Sequence, residues 1–295
     1  MSFIDFAQSY GVEIDPAKLR PSDKIQRCGT TEKPRSKNGA YLWDGQGGWV
    51  YAWDADAQVR WYNDPEAKPF TEEEKKAWRA RRDALRAATE QGYLNAARKA
   101  AELLASTKPG PHDYLYRKGL PNAQGLCLPD GGLLVPMRDF STNELRGVQI
   151  IRWTDSESEP GVNRWRKKMS YGMQARGAVL RLGPRTGEHI FCEGYATGLS
   201  IELAVRQMRL NAAVLVCFSD SNMVHVAGLA KGGRRYVFAD NDKSGAGERA
   251  AKETGLPYCM SPTVGEDAND LHKREGLLAV CSLLMQVRRQ EAAMT

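Results

Sequence analysis

The chain has 295 residues, of which 42% are hydrophobic and 26% are charged, and its formal net charge is +6 at pH 7. This length suffices for one large or two modest domains, and the mild positive charge is consistent with polyanionic partners. No apolar run reaches the roughly 18 residues of a membrane span, and no signal-peptide pattern occurs, so we expect an intracellular protein without membrane contact. Six cysteines are scattered without a Cys-x-x-Cys pair, which argues against a zinc ribbon or a disulfide framework and favours a reduced cytoplasm.

Residues 1–63 are predicted to form a small domain rich in β-strands. A short helix is expected within residues 1–15. Residues 24–63 combine glycine-rich turns with alternating aromatic residues, which predicts an antiparallel sheet with a hairpin at residues 44–48. Aromatic residues on a small sheet usually form its core. Exposed ones could instead stack on bases, beside the basic residues Lys24, Arg27, Lys33, Arg35 and Lys37.

Residues 64–110 are predicted to be a helical linker. Acidic residues after Thr71 suit the start of a helix, and the sequence Pro109-Gly-Pro111 ends the helical pattern. Gly92 is a candidate break between two helices.

Residues 111–186 are predicted to form a basic subdomain. Strands are expected at residues 133–137 and 147–152, with a turn at residues 141–144 between them. From residue 138 to residue 185, ten Lys and Arg residues outnumber five acids. Such an excess is the expected counterpart of an acidic cluster elsewhere in the chain.

Acidic residues follow two apolar runs in the next segment. The first run ends at Glu193-Gly194, the second ends at Asp240-Asn-Asp242, and further acids, Asp267 and Asp270, precede a predicted helix. Side chains two residues apart on an extended segment point the same way, so Asp240 and Asp242 can share a cation. Because the carboxyl ends of parallel strands line one crevice, Glu193 should join them there.

Converging carboxylates favour Mg²⁺, which keeps waters and substrate phosphates in its coordination shell. The pattern therefore indicates phosphoryl transfer. The alternative is that these acids are solvated loop residues or helix N-caps, which is the favoured interpretation for Asp270 taken alone.

At these residues the chain resembles the Toprim family, the metal-binding fold of bacterial-type primases, topoisomerases and some nucleases. The pairs Glu193-Gly194 and Asp240/Asp242 match its two motifs in order and spacing. Three further features resemble the Toprim domains of phage and plasmid DNA primases: Glu-Gly-Tyr-Ala-Thr at residues 193–197, Asn222 after the strand at 213–218, and Asn-Asp-Leu-His at 269–272. Asp220 either replaces an acid of those primases or has no role.

The resemblance covers about residues 111–276 and implies the fold class. It implies an α/β Toprim domain at residues 187–276, with a Rossmann-like, mostly parallel sheet and flanking helices. An α+β primase N-terminal subdomain would occupy residues 111–186. The amphipathic pattern from Leu277 to Gln290 separately predicts a C-terminal helix in residues 277–295. Bacterial-type primases carry a zinc ribbon ahead of this core. Residues 1–63 stand in that place, but Cys28 is their only cysteine, so we expect a ribbon-like domain without zinc.

The resemblance implies a DNA primase that makes short RNA primers on single-stranded DNA in phage or plasmid replication. The implied catalytic residues are Glu193, Asp240 and Asp242, with Glu193 as a metal ligand or as the general base for the primer 3′-hydroxyl. Mg²⁺ or Mn²⁺ would be held by Glu193, Asp240, Asp242, Asp267 and Asp270. Nucleotide or nucleic-acid contacts are implied for Arg146, Arg152, Arg166, Lys167 and Lys168. Asn222 is a further candidate, to contact the nucleotide or to orient a metal-bound water. Lys243 is a candidate to hold a phosphate, with a solvent-exposed position as the alternative.

The implied partners are a single-stranded DNA template and ribonucleoside triphosphates. Because the sequence contains no Walker motif, any replicative helicase would be a separate partner. The expected location is the cytoplasm, that of the bacterial host if the chain is phage-encoded. Two alternatives stay open: a Toprim-type metal-dependent nuclease, and a non-catalytic DNA-binding replication or anti-defence factor. The basic segment favours a polymerase, because a hydrolase needs no triphosphate site.

Overall fold

The structure is a computed structural model and describes residues 1–55, 58–64, 71–154, 165–185 and 187–292. Part of the predicted basic stretch (155–164), of the predicted linker (65–70) and of the C-terminal segment (293–295) lies outside them.

The chain divides into two compact units, residues 1–83 and residues 84–295. The elements of the described residues are α1 (Phe3–Ser9), β1 (Val12–Glu13), β2 (Gln26–Thr30), β3 (Gly39–Trp43), β4 (Gly47–Ala52), β5 (Arg60–Asn63), α2 (Glu72–Ala105), β6 (Lys108–Gly110), α3 (Asp113–Arg117), β7 (Gly125–Cys127), β8 (Leu133–Asp139), β9 (Leu145–Trp153), β10 (Trp165–Met169), β11 (Ala178–Leu182), β12 (Glu188–Cys192), α4 (Tyr195–Gln207), β13 (Ala212–Val216), α5 (Asp220–Leu229), β14 (Arg235–Ala239), α6 (Ala246–Glu253), β15 (Tyr258–Met260), α7 (Ala268–Glu275) and α8 (Leu277–Ala292).

The first unit contains a five-stranded antiparallel sheet in the order β1-β2-β3-β4-β5. Its inner face packs against α1 through buried residues that include Phe3, Tyr41, Val50 and Tyr62. The β3–β4 hairpin turns at Asp44, whose carboxylate accepts main-chain hydrogen bonds within the turn. The separate antiparallel sheet confirms in part the predicted N-terminal β domain.

Helix α2 runs unbroken for 34 residues. Gly92 lies inside it, so the predicted division into two helices is wrong. A Cβ at Gly92 would meet no atom of the described chain within 4 Å. The glycine therefore sits on an open surface, where its cost in helix propensity is too small to break so long a helix.

The second unit is built on a ten-stranded sheet. Its main path is β10-β9-β8-β11-β13-β12-β14-β15, and β6 and β7 join beside β8. Strands β13, β12, β14 and β15 are parallel, whereas β11 pairs antiparallel with both β8 and β13. The segments on either side of the predicted boundary at 186/187 therefore share one sheet, and that boundary stays a prediction.

Alternating side chains of the parallel strands fill two cores, one on each face of the sheet. On one face Ile190, Val214 and Phe238 pack with residues of α4, α7 and α8. On the other face Phe191 and Leu215 pack with residues of α5 and α6. Strands buried on both faces explain the nearly continuous apolar runs in the sequence. In the described part of the chain, no helix is both long enough and apolar enough to cross a membrane.

Candidate active site

The carboxyl ends of three neighbouring parallel strands bring acidic residues to one edge of the sheet. Glu193 follows β12 directly, and Asp240 follows β14 directly. Strand β13, which pairs with β12, is followed by Phe218 in a left-handed conformation (φ 66°) and then by Asp220, the first residue of α5. The main-chain N–H of Phe218 donates to the Glu193 carbonyl at 2.9 Å, which ties the two strand ends together.

Glu193 and Asp220 form a pair of neighbouring carboxyl groups. Burial raises the pKa of Glu193 to about 7, and the charge of Asp220 and a hydrogen bond with it add to the rise. Burial also raises the pKa of Asp220, while its hydrogen bond with Glu193 acts in the opposite direction. Two carboxyl groups that lie together in one low-dielectric site both resist ionisation, and a cation between them would remove that resistance.

Asp240 is the most strongly perturbed of the site's carboxyl groups. Burial raises its pKa to about 8, and the charges of Asp267, Glu193 and Asp220 add to the rise, while Lys167 opposes it. The Asp240 Oδ1 atom is buried and has no hydrogen-bond partner within the described residues. A buried carboxyl group with an unsatisfied oxygen and several acidic neighbours is neutral at pH 7 unless a cation compensates it.

Asp242 has the opposite electrostatic character. Its carboxylate accepts hydrogen bonds from the Ser244 hydroxyl, the Ser244 main chain at 2.8 Å and the Gly247 main chain at 2.8 Å. The hydroxyl bond and then the Gly247 N–H hold its pKa down, at about 2. Asp242 is therefore a permanent negative charge that also anchors the loop leading into α6.

The two remaining predicted metal ligands, Asp267 and Asp270, have different partners. Asp267 is the N-cap of α7, accepts a hydrogen bond from the Thr197 hydroxyl at 2.9 Å, and acts electrostatically on Asp240. Asp270 instead pairs with Lys118 at 3.8 Å. Asp267 thus belongs to the acidic cluster, which we define as Glu193, Asp220, Asp240, Asp242 and Asp267. Asp270 is not counted in this cluster, because its carboxylate pairs with Lys118.

Lys167 on β10 faces the acidic cluster. Its side chain is open to solvent along part of its length, yet desolvation of the ammonium group lowers its pKa, as does the charge of Lys118. The charges of Asp267, Glu193 and Asp240 oppose that lowering. The ammonium nitrogen lies 5.9 Å from the centre of the Tyr114 ring. A cation held between an aromatic face and several carboxyl groups is suited to bind phosphate oxygens.

The other predicted nucleotide contacts lie in different settings. Arg146 pairs with Asp139, and Arg152 pairs with Asp130 at 2.5 Å. The residues on either side of Lys167, Arg166 and Lys168, are exposed and alternate to the other face of β10. Lys243 is exposed in the loop after Asp242.

Asn222 has a structural role in this arrangement. It is buried, its side-chain oxygen accepts from the Gly177 main chain, and its amide group donates to the carbonyls of Ala178 and Cys217. With these contacts it joins α5 to the end of β13 and to the start of β11.

A cavity of about 460 Å³ opens beside the end of β13. Its lining includes the apolar side chains of Met137, Met169 and Phe218 and the polar groups of Ser219 and Arg176. Phe218 and Ser219 immediately precede Asp220 of the acidic cluster. The size and mixed lining of the cavity are typical of a small-molecule site.

The acidic cluster suits a hard divalent cation. Across the described ranges, no group of three or more His, Cys, Asp and Glu side chains is already arranged to hold a metal ion. Mg²⁺, however, is commonly bound by one or two carboxylates, with substrate phosphates and waters as the other ligands. The unpartnered Oδ1 of Asp240 and the raised pKa values of Asp240 and Glu193 are what a site built for such a cation would show in its absence.

Two members of this site were missing from the predicted site residues. For Asp220 the sequence leaves two alternatives open, because Phe-Ser-Asp-Ser-Asn departs from the pattern of the primases it resembles. Lys118 lies far from the acids in the sequence, and its place beside Asp270 and Lys167 depends on long-range packing. The only sequence signal for Asp220 was its position at the end of a third apolar run.

Comparison with known protein families gives a match that covers less than half of the chain. A family model described as a Toprim domain matches residues 188–277. No curated protein matches the chain. The parallel strands, the helices on both faces and the acids at the strand ends fit that fold. Toprim domains occur in primases, nucleases and topoisomerases, so the match indicates a metal-dependent enzyme that processes nucleic acids. Residues 188–277 form a Toprim domain.

Proposed function

We propose that the chain is a DNA primase that uses Mg²⁺ or Mn²⁺ to make short RNA primers on single-stranded DNA in phage or plasmid replication. The observation that carries the proposal is that Lys167 faces an acidic cluster drawn from several strand ends. Phosphoryl transfer needs both charges, since acids hold the metal and a cation holds the triphosphate.

Glu193, Asp240 and Asp242 are the residues proposed to hold the divalent cation. A bound cation would neutralise charge on the triphosphate and make the attacking hydroxyl more acidic. Asp240 would contribute its unpartnered Oδ1. Asp242, which is ionised over the whole physiological range, would supply negative charge without first losing a proton.

The pair of Glu193 and Asp220 is suited to accept the proton of the primer 3′-hydroxyl. A general base works best when its pKa lies near the working pH, and the pKa of Glu193 is about 7. Glu193 is therefore proposed as the general base or as a ligand of the cation, and a bound cation would keep its carboxylate ionised. Lys167 would orient the triphosphate.

Two features support a polymerase over a nuclease. Lys167 offers a cation for a free triphosphate, and the cavity beside Phe218 offers room for a nucleoside. A hydrolase that attacks a phosphodiester with water has no need of either. The proposed substrates are ribonucleoside triphosphates and a single-stranded DNA template, and a separate replicative helicase is the proposed partner.

The test is to incubate the full chain with single-stranded DNA, labelled ribonucleotides and Mg²⁺ or Mn²⁺. Short labelled oligomers are expected from the wild type, and Glu193→Gln and Asp240→Asn should abolish them. Lys167→Ala should raise the KM for the triphosphate by tenfold or more, since a charge-assisted phosphate contact is lost. Lys231→Ala is the matched control, because this exposed lysine lies before β14, at the opposite edge of the sheet.

The other outcomes distinguish the alternatives. Shortened DNA without incorporation, lost in the same acid variants, would identify a nuclease. DNA binding with neither synthesis nor cleavage would identify a non-catalytic factor.

A further inference from the structure

The outer face of the five-stranded N-terminal sheet carries an aromatic surface that the proposed chemistry does not use. Val50 and Ala52 of β4 point into the core of this unit. Alternation along the strand therefore places Trp49 and Tyr51 on the outer face. Trp61 of β5 lies directly opposite Trp49 in the strand register.

Trp53 extends this surface beyond the end of β4. Its main-chain N–H donates to the Asn38 carbonyl at 2.9 Å, so the ladder continues for one residue. The Tyr51 and Trp53 rings lie 4.5 Å apart, edge to face, which places them on the same side of the sheet. We define the aromatic face as Trp49, Tyr51, Trp53 and Trp61.

This face is open to solvent to an unusual degree. Trp61 is 72% exposed and Trp53 is 48% exposed. Tryptophan is on average highly buried, so two such side chains on one small sheet call for an explanation. Contiguous exposed apolar surface commonly marks a binding site.

The charge beside the aromatic face indicates what it binds. The Arg27 guanidinium lies 4.0 Å from the centre of the Trp53 ring. Arg27 belongs to a strongly basic segment, residues 24–37, in which Glu32 is the only acid. The basic residues of the segment, all exposed, are Lys24, Arg27, Lys33, Arg35 and Lys37.

We propose that the aromatic face binds single-stranded nucleic acid by stacking bases on Trp53 and Trp61, with phosphates held by Arg27 and the basic segment. Stacking platforms beside cations bind single strands with little sequence preference, because every base has an aromatic face. Side chains on one face of a strand repeat about every 6.8 Å, and neighbouring strands lie about 4.8 Å apart. The platform can therefore take several successive bases. The proposal does not depend on the chemistry at the acidic cluster.

The test measures binding by the full chain in EDTA, which removes any metal-dependent reaction. The probes are a fluorescent twelve-residue thymidine oligomer and an abasic oligomer of the same length and charge, followed by anisotropy. The wild type should bind the thymidine oligomer more tightly. The double variant Trp53→Ala/Trp61→Ala should lose roughly tenfold or more in Kd for that oligomer and little for the abasic one.

Two further variants separate stacking from damage to the fold. Trp61→Phe keeps an aromatic ring at the most exposed position and should retain most of the affinity. Trp78→Ala is the matched control, because this tryptophan on α2 is 51% exposed and has Arg82 5.0 Å from its ring, but lies outside the sheet. It should bind both oligomers like the wild type.

Three results would overturn the proposal. The first is an equal loss of affinity for both oligomers in the double variant, since that would assign the binding to charge alone. The second is unchanged thymidine binding in a correctly folded double variant. The third is self-association of the wild type in sedimentation that the double variant abolishes without a change in DNA binding, because the face would then be a protein interface.

Discussion

Replacing Asp240 with asparagine should make the metal-free protein less sensitive to pH. The carboxyl group of Asp240 has a pKa of about 8 in the folded chain, against an ordinary value of 3.8. The folded state therefore holds a proton that the unfolded state has already released between those two values. Because the unfolded state then binds fewer protons, the free energy of unfolding falls as the pH rises through this window.

The size of the effect follows from the shift. Each pH unit between the two pKa values costs about 1.4 kcal/mol, so Asp240 alone should lower the stability by about 2 kcal/mol between pH 6.0 and pH 7.5. For a unit of this size that corresponds to roughly 4–8 °C in the unfolding midpoint. Glu193, with a pKa of about 7, adds to the decline in the wild type and should account for what remains in Asp240→Asn.

The assay is thermal unfolding of the full chain in EDTA across that pH range, followed by circular dichroism. Asp242→Asn is the matched control. Its pKa is held at about 2, so the stability it contributes is complete above the ordinary value of 3.8 and is lost only in acid. That variant should be less stable by about 1 kcal/mol at every pH tested, through loss of hydrogen bonds to a charged group. Its decline between pH 6.0 and 7.5 should stay steeper than that of Asp240→Asn, although loss of the Asp242 charge lowers the pKa of Glu193.

An Asp240→Asn protein that declines with pH as steeply as the wild type would refute the reasoning. The carboxyl group would then be ionised in the folded protein without a cation. Its burial beside other acids would not have the electrostatic consequence assigned to it.

Three other predictions concern the same unit. Adding Mg²⁺ at pH 7.5 should raise the unfolding midpoint of the wild type more than that of Asp240→Asn, and equal shifts would place the ion elsewhere. Asn222→Ala should cost about 3 kcal/mol in denaturant unfolding, because it leaves the partners of three buried hydrogen bonds unsatisfied; a stability within 1 kcal/mol of the wild type would contradict this. Gly247→Ala would place a Cβ 2.3 Å from the Asp240 carbonyl oxygen, so primer synthesis should fall at least tenfold. Gly92→Ala, in the open part of α2, is its control. That variant should stabilise the protein by about 0.5–1 kcal/mol and leave primer synthesis unchanged.

The position of the acids could be predicted from the sequence because it depends on local patterns. Apolar runs of strand length precede Glu193 and Asp240, and parallel strands bring their carboxyl ends to one edge. The role of Asp220 could not be predicted in the same way. Its contact with Glu193 requires the left-handed turn at Phe218 and the pairing of β12 with β13, and neither leaves a distinctive residue pattern.

The basic residues show a different limit of sequence reasoning. The sequence predicted an excess of basic residues in this segment. Which of the basic residues on β10 faces the acidic cluster depends on the face of the strand that each one occupies. Lys167 faces the acids, whereas Arg166 and Lys168 alternate away from them. Arg146 and Arg152 are engaged by aspartates close to them in space. These partners are set by strand register, which depends on long-range pairing.

Strand β11 joins the two halves of the second unit's sheet, since it is hydrogen-bonded to β8 on one side and to β13 on the other. Lys167 and the strand ends that carry the acidic cluster therefore belong to one hydrogen-bonded sheet. A triphosphate bound as proposed would therefore contact two parts of the same sheet, strand β10 and the carboxyl end of β14.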